Sequence, residues 1–394
     1  MKAVTWQGKR TIEVKQVPDP VIQEPTDIII KVTSSCICGS DLHLYEVMAP
    51  VMEKGDIMGH EPIGIVQEVG SAVKNLDVGD RVVVPFNISC GHCFMCKSGL
   101  QSQCETTQVK EYGRGAALFG YTKLYGHVPG GQAEYLRVPH ADYGAIKLPE
   151  GPSDDRFIYL SDVLPTAWQA VQYADVKPGS TVAVLGLGPI GDMAARIARY
   201  KGANVIGIDQ VPERLARVKQ FGVESVIDFS KHDDNLVDYV RDMTDGRGPD
   251  AVIEAVGLEA HGSAFEKFAQ DVTGLMPKAL SAPMLQKGGV DRLNALYTAF
   301  DMVRRGGTVS ISGVYAGNMD IIPMDTLFDK QLTLRMGQAN VRRWTDEILP
   351  LLVDEDPLGV DGFASHHLSI DDAALAYEKF QKKEDGFIKV ILHP

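Results

Sequence analysis

The rhythm of hydrophobic positions changes near residue 160. Up to about residue 150, short β-rich runs such as IIIKVTSS, EPIGIVQEVG, DRVVVPF and AEYLRVP are broken by turn punctuation such as VGDR. This pattern predicts strands and a β-rich, barrel-like unit with long loops. From about residue 160, strands and helical patterns alternate: TVAVLGLG, PIGDMAARIARYKG, NVIGID, PERLARVKQFG, SVIDF, DNLVDYVRDMTDG and DAVIEAVG. Strands separated by helical stretches of roughly 10–15 residues predict an α/β unit with a parallel sheet. A polar, Gly/Pro-marked insertion at about 258–290 interrupts the alternation, which LNALYTAFDMVRRGG and TVSISGVYAG resume. The tail from about 335 ends in a helix, DDAALAYEKFQKK, and a strand, GFIKVILHP.

Length supports this division, since 394 residues exceed one comfortable core. The net charge of −13 argues against nucleic acid or an anionic membrane as partner and leaves a small molecule as the expected one. The N-terminal MKAVTWQGKRTIEVK has no apolar leader-like region, so a cytoplasmic location is expected. Six cysteines in so long a chain are no disulfide framework, and their clustering favours metal.

One motif gains its meaning from context. GLGPIG places Gly186, Gly188 and Gly191 in G-x-G-x-x-G spacing, after the strand TVAVL and at the opening of a helix; the next strand ends in Asp209. This is the context a dinucleotide fingerprint requires, and it predicts a Rossmann, doubly wound sheet. The first glycine permits a tight turn, the second lets backbone approach a pyrophosphate, and the third lets helix and strand pack closely. Pro189 and Ile190 complete the loop, and Arg214 in the following helix is counted with the site. Asp209 would accept from ribose hydroxyls and repel a 2′-phosphate, so NAD is expected over NADP. The competing reading is a glycine-rich turn with Asp209 as a helix N-cap.

The cysteines read as a separate matter. Cys90, Cys93, Cys96 and Cys104, in CGHCFMCKSGLQSQC, have C-x2-C-x2-C-x7-C spacing. Four thiolates close a tetrahedron around zinc and leave no position for a substrate, so this is a structural site, with His92 a solvated loop residue. Catalysis needs three protein ligands and an open fourth position. The candidates lie in CICGSDLH (36–43) and MGHEPIG (58–64), although a histidine like His60 taken alone reads equally well as a core residue.

GHEPIGIVQEVG, the four-cysteine loop and GLGPIG follow one another as in the zinc-containing medium-chain alcohol dehydrogenases, which this chain resembles over its whole length. The resemblance implies a GroES-like catalytic domain over about 1–160, completed by 335–394, and a Rossmann NAD-binding domain over 161–334, with the active site in the cleft. It implies that Cys38 and His60 bind a catalytic zinc, with Glu61 beside it and able to exchange onto it. The third ligand implied is Asp162 of LSDVLPTAWQA, where many members have cysteine; Asp162 also reads as a helix N-cap, and whether Asp162 or Glu61 completes the shell stays open. Ser40 and His43 match the family's proton relay, Asp41 the residue that bonds the zinc-bound histidine, and Thr166 a position near the nicotinamide. Cys36 is left as a small buried hydrophobe. Gly39 stands where some members carry a basic residue against the pyrophosphate.

PFN-x-x-CG-x-C-x-x-C, GGQAEY (130–135), LSD-x-LPT and the insertion at 258–290 are most similar to the glutathione-independent formaldehyde dehydrogenase-like branch. That branch implies hydride transfer from an alcohol or hydrated aldehyde to NAD, with one catalytic and one structural zinc per subunit in a dimer or tetramer. Polyol, threonine and secondary-alcohol dehydrogenases share C-G-S-D and are the rival activities. A zinc-ribbon binding protein is the rival of another class; the charge and the dinucleotide fingerprint count against it.

Overall fold

A computed structural model of the chain describes residues 1–46, 48–232, 235–257, 294–314 and 322–394. The chain forms two compact units: Met1–Pro165 with Ala339–Pro394, and Thr166–Gln338. The expected insertion at 258–290 lies outside the described residues.

The first unit opens with an antiparallel hairpin of β1 (Lys2–Gly8) and β2 (Thr11–Gln16). A long strand, β3 (Ile28–Ile37), follows, and helix α1 (Gly39–Glu46) starts two residues after it ends. Then come β4 (Pro62–Val69), β5 (Arg81–Val83), β6 (Tyr135–Val138) and β7 (Ile146–Lys147). β3 pairs antiparallel with both β4 and β6, and β4 passes the sheet on to β5 and β7. Ile28, Ile30, Val32, Val66, Val82 and Leu136 face one apolar core, which is what holds this register: a one-residue slip would turn each of them to the other face. Helix α2 (Val163–Tyr173) begins in this unit.

The second unit is a six-stranded sheet of β8 (Thr181–Leu185), β9 (Asn204–Asp209), β10 (Ser225–Asp228), β11 (Ala251–Glu254), β12 (Thr308–Ile311) and β13 (Thr333–Met336). Every pairing is parallel, and the order β10-β9-β8-β11-β12-β13 is the 3-2-1-4-5-6 order of the Rossmann fold. Helices α3 (Pro189–Tyr200) and α4 (Pro212–Gln220) follow β8 and β9. Buried Asp192 of α3 ties them together, bonding Arg196 at 2.7 Å and Arg217 of α4 at 2.7 Å. The N–H-bearing ends of α3 and α4 thus lie at the C-terminal edge of the sheet, where such sheets bind ligands.

The tail returns to the first unit through α5 (Val341–Ile348), β14 (His366–Ser369), α6 (Ala373–Lys382) and β15 (Val390–His393). β15 pairs antiparallel with the end of β3, Ile391 opposite Cys36. Among the described residues no helix is long and apolar enough to cross a membrane.

Candidate active site and metal centres

Antiparallel pairing explains how distant residues meet. Ser35 near the end of β3 lies opposite Pro62 at the start of β4, and the Cys36 N–H donates to the Glu61 carbonyl at 3.2 Å. Cys38, leaving β3, and His60, entering β4, are therefore neighbours. Asp162 arrives from a third direction: the Phe86 N–H donates to the Ser161 carbonyl at 3.1 Å, fixing the turn that precedes α2. The Asp162 Oδ2 then stands 3.6 Å from Cys38 Sγ and 3.4 Å from His60 Nε2. All three ligand atoms lie within 4.8 Å of one another. With zinc bonds of about 2.0–2.3 Å, donors on a tetrahedral ion stand roughly 3.3–3.8 Å apart, so this set fits zinc and leaves one position open. Asp162 directly precedes α2 while its Oδ2 is turned to Cys38 and His60, so its place before the helix does not exclude the ligand role.

The surroundings orient these donors. Asp41 Oδ1 is 3.1 Å from His60 Nδ1, and its Oδ2 accepts from the Cys38 N–H at 3.0 Å. Holding Nδ1 in this way leaves Nε2 for a metal. Gln132 donates to Asp41 Oδ2 at 3.3 Å and to the Cys36 carbonyl at 3.0 Å, and accepts from the Tyr377 hydroxyl at 2.9 Å. Ser40 Oγ lies 3.2 Å from His60 Nε2, and His43 is buried on the same helix. In the metal-free chain, burial opposes protonation of His60, yet Asp41 and then Asp162 hold its pKa well above the usual value. Burial, Glu61 and Asp162 push the Cys38 thiol up. A thiol, an imidazole and a carboxylate gathered at one point are donors that a divalent cation can share.

Glu61 has a partner that the sequence reading missed. Its Oε2 pairs with Lys389 Nζ, both side chains fully buried, and Lys389 also donates to the Ile37 carbonyl at 3.3 Å. Burial raises the Glu61 pKa against the opposing charge of Lys389. The other oxygen, Oε1, is buried without a hydrogen-bond partner among the described residues. The one available signal was a lysine inside the apolar run FIKVIL, where a lone charge demands a counter-charge.

Cys90, Cys93, Cys96 and Cys104 also converge, their sulfurs within 4.8 Å of one another. Backbone N–H groups of Cys90, Cys93 and Cys96 each point at a sulfur of the set at 3.4 Å, and the Thr106 hydroxyl donates to Cys90 Sγ at 3.1 Å. Burial works upward on Cys104, but the Thr107 hydroxyl and backbone N–H groups of Cys90, Thr107 and Thr106 bring its thiol down to about 6. A thiolate cluster of this kind suits zinc, and its four donors leave no position for a substrate. His92, by contrast, turns Nδ1 to the Cys90 carbonyl at 3.0 Å.

Residues 24–150 match the alcohol dehydrogenase GroES-like domain, and residues 189–271 match the zinc-binding dehydrogenase domain. The zinc-type alcohol dehydrogenase-like protein AdhB of Bacillus subtilis (strain 168) is 41% identical over 397 residues, covering the whole of both chains. The chain belongs to the zinc-type alcohol dehydrogenase family. The formaldehyde dismutase of Pseudomonas putida is 33% identical, over 97% of this chain and 95% of its own. The solved alcohol dehydrogenase TADH from Thermus sp. ATN1 superposes with a TM-score of 0.80 at 34% identity, over 100% of this chain and 99% of its own. The resemblance seen in the sequence is thus borne out.

In this zinc-type dehydrogenase, the remaining predicted residues lie in the second unit. Gly186 has a φ of 82°, and a Cβ on it would stand 2.8 Å from Val256 Cγ2. A Cβ on Gly191 would stand 1.7 Å from the Gly186 carbonyl oxygen, so the first and third glycines are required by packing. Gly188 is different: only the Arg214 guanidinium, 3.7 Å away, would meet its Cβ, so its backbone is open to approach. Pro189 starts α3, with Ile190 next to it, and the Asp192 N–H donates to the Gly188 carbonyl at 2.8 Å. Asp209 ends β9 against this loop: Oδ2 accepts from the Leu187 N–H at 2.7 Å, Oδ1 from Gln210 and Val211, and Arg214 Nη1 is 3.5 Å away. Three N–H donors on one carboxylate fix its orientation. Thr166 is the first residue of this unit and lies on α2. Cys36 is buried in β3 between strands, as a small apolar side chain would be.

Proposed function

We propose that the chain moves hydride between an alcohol or hydrated aldehyde and NAD. The convergence of one thiol, one imidazole and one carboxylate, with Ser40 at 3.2 Å from the metal-facing nitrogen of His60, carries this reading. Cys38, His60 and Asp162 would hold a catalytic zinc, and Cys90, Cys93, Cys96 and Cys104 a structural one. Bound zinc supplies a Lewis acid that lowers the pKa of a substrate hydroxyl. The chain's own part is proton traffic and orientation. The Ser40 hydroxyl stands where it takes up the substrate proton, and His43, three residues on, passes it outward. Asp41 keeps the proton of His60 on Nδ1, and Lys389 pairs with the Glu61 carboxylate. In the second unit, the free N–H groups at the start of α3 receive a pyrophosphate, and Asp209 receives ribose hydroxyls.

Hydrated formaldehyde is the favoured substrate, supported by similarity to the formaldehyde dismutase of Pseudomonas putida over nearly the whole chain. As a gem-diol it presents a hydroxyl as an alcohol does, and no exposed cysteine is needed to form a thiohemiacetal. Steady-state turnover of formaldehyde, short alcohols and polyols, each with NAD and with NADP, tests the proposal. Asp209→Asn should raise the ratio of NADP to NAD efficiency by about tenfold, since like charge no longer opposes the 2′-phosphate. A wild-type preference for NADP would refute the Asp209 assignment.

A further inference from the structure

Strand β11 ends on a charged residue where its position calls for an apolar one. It reads AVIE, and strands of parallel sheets, buried on both faces, are otherwise continuously apolar. Glu254 is nonetheless fully buried. A buried carboxylate is costly unless it is hydrogen-bonded, and this one is: Oε1 accepts from the Val256 N–H at 2.8 Å and the Gly257 N–H at 2.9 Å. The Glu254 backbone carbonyl accepts from the N–H groups of Ser312 and Gly313, just past β12, at 2.9 and 3.1 Å. One residue therefore holds the backbone that leaves two adjacent strands.

The two segments are pressed together. Gly257 has a φ of 56°, and a Cβ on it would stand 2.6 Å from the Val314 nitrogen. A Cβ on Gly313 would stand 2.4 Å from Glu254 Oε2 and 2.4 Å from the Gly257 nitrogen. The first segment also rests on the glycine loop. Val256 Cγ2 is the atom that a Cβ on Gly186 would meet at 2.8 Å, and the Ala255 N–H donates to the Leu185 carbonyl at 2.9 Å. Val314, at the outer end, is 54% exposed. The result is a ledge of backbone, ending in an exposed apolar side chain, at the C-terminal edge of the sheet.

In a sheet of this order a dinucleotide lies across the point where strand order reverses, between β8 and β11. With the adenosine ribose at Asp209 on the β9 side and the pyrophosphate at the start of α3, the nicotinamide half falls over the ends of β11 and β12. That is where the ledge stands. A sequence that breaks its local pattern at such a place, at the cost of burying a carboxylate, does so for the geometry the carboxylate imposes.

We propose that Glu254 is a positioning residue for the nicotinamide half of the cofactor. Its carboxylate and its carbonyl fix residues 255–257 and 312–314 as one rigid ledge, against which the ring is held. The assignment rests on the dinucleotide reading above and adds to it a residue outside the glycine fingerprint.

The test compares NADH with ADP-ribose, which lacks the nicotinamide ring, by calorimetry on the zinc-replete enzyme. The wild type should bind NADH more tightly. Glu254→Ala should weaken NADH about tenfold and ADP-ribose less than about twofold. Glu254→Gln, which keeps a carbonyl oxygen as acceptor, should bring NADH back to within about threefold of wild type. Gly313→Ala reaches the same contact from the other side and serves if Glu254→Ala does not fold. Its methyl group would displace the carboxylate and should likewise weaken NADH but not ADP-ribose. Equal weakening of the two ligands would show a packing role only and overturn the proposal, as would no weakening, or a wild type that binds both alike. A wild type that binds neither would instead overturn the dinucleotide reading itself.

Discussion

Replacing Lys389 by methionine isolates the buried pair behind the catalytic donors. Both Lys389 and Glu61 side chains are fully buried, so neither charge has water to fall back on. Methionine fills much the same volume and leaves the Glu61 carboxylate alone. Breaking a buried pair on one side costs about 3–5 kcal/mol, which for a unit of this size is roughly 10 °C in unfolding midpoint. The pH dependence has a definite sign. Burial already raises the Glu61 pKa above its ordinary value, and Lys389 is the foremost influence holding it down. Without Lys389 the folded-state pKa climbs further. A raised carboxyl favours the folded state at low pH, and that contribution is lost as pH rises through the folded-state value. The deficit of Lys389→Met relative to wild type should therefore be large near about pH 8 and shrink towards about pH 5. Thermal unfolding of metal-free protein across that range is the assay, and the double variant Lys389→Met/Glu61→Gln should recover most of the loss. A single variant within about 1 kcal/mol of wild type at every pH, or a double variant no better than the single, would refute the pairing argument.

Three other outcomes follow from the same geometry. Cys38→Ser should abolish turnover and lower bound zinc from two ions per chain to one, with the unfolding midpoint nearly unchanged; elemental analysis with calorimetry checks this. Cys93→Ser should also lose one zinc but destabilise the first unit by more than about 4 kcal/mol, because a closed site contributes folding free energy. Gly191→Ala would place a methyl 1.7 Å from the Gly186 carbonyl oxygen. It should cost about 1–3 kcal/mol and weaken NAD binding at least about tenfold, read by titration of the intrinsic fluorescence.

Much of this molecule was legible along the chain because the relevant forces act locally. The alternation from β8 to β12 follows from hydrophobic period, and GLGPIG carries its own packing rule in the spacing of its glycines. Cys90 to Cys104 lie in a single loop, so their spacing alone brings four sulfurs to one point. The β1–β2 hairpin and the returning β14 went unread, since short strands of mixed polarity leave little periodic signal.

What the sequence alone determined, then, is the set of features whose partners lie within one turn, loop or βαβ unit: the Rossmann unit, the dinucleotide loop and the four-cysteine site. Tertiary structure alone decided that the Asp162 carboxylate turns to Cys38 and His60, and that Glu61 is paired across 328 residues with Lys389. Those contacts depend on the register of β3 against β4 and β15. That register is held by burial of Ile28, Ile30, Val32 and their neighbours, residues with no chemistry of their own.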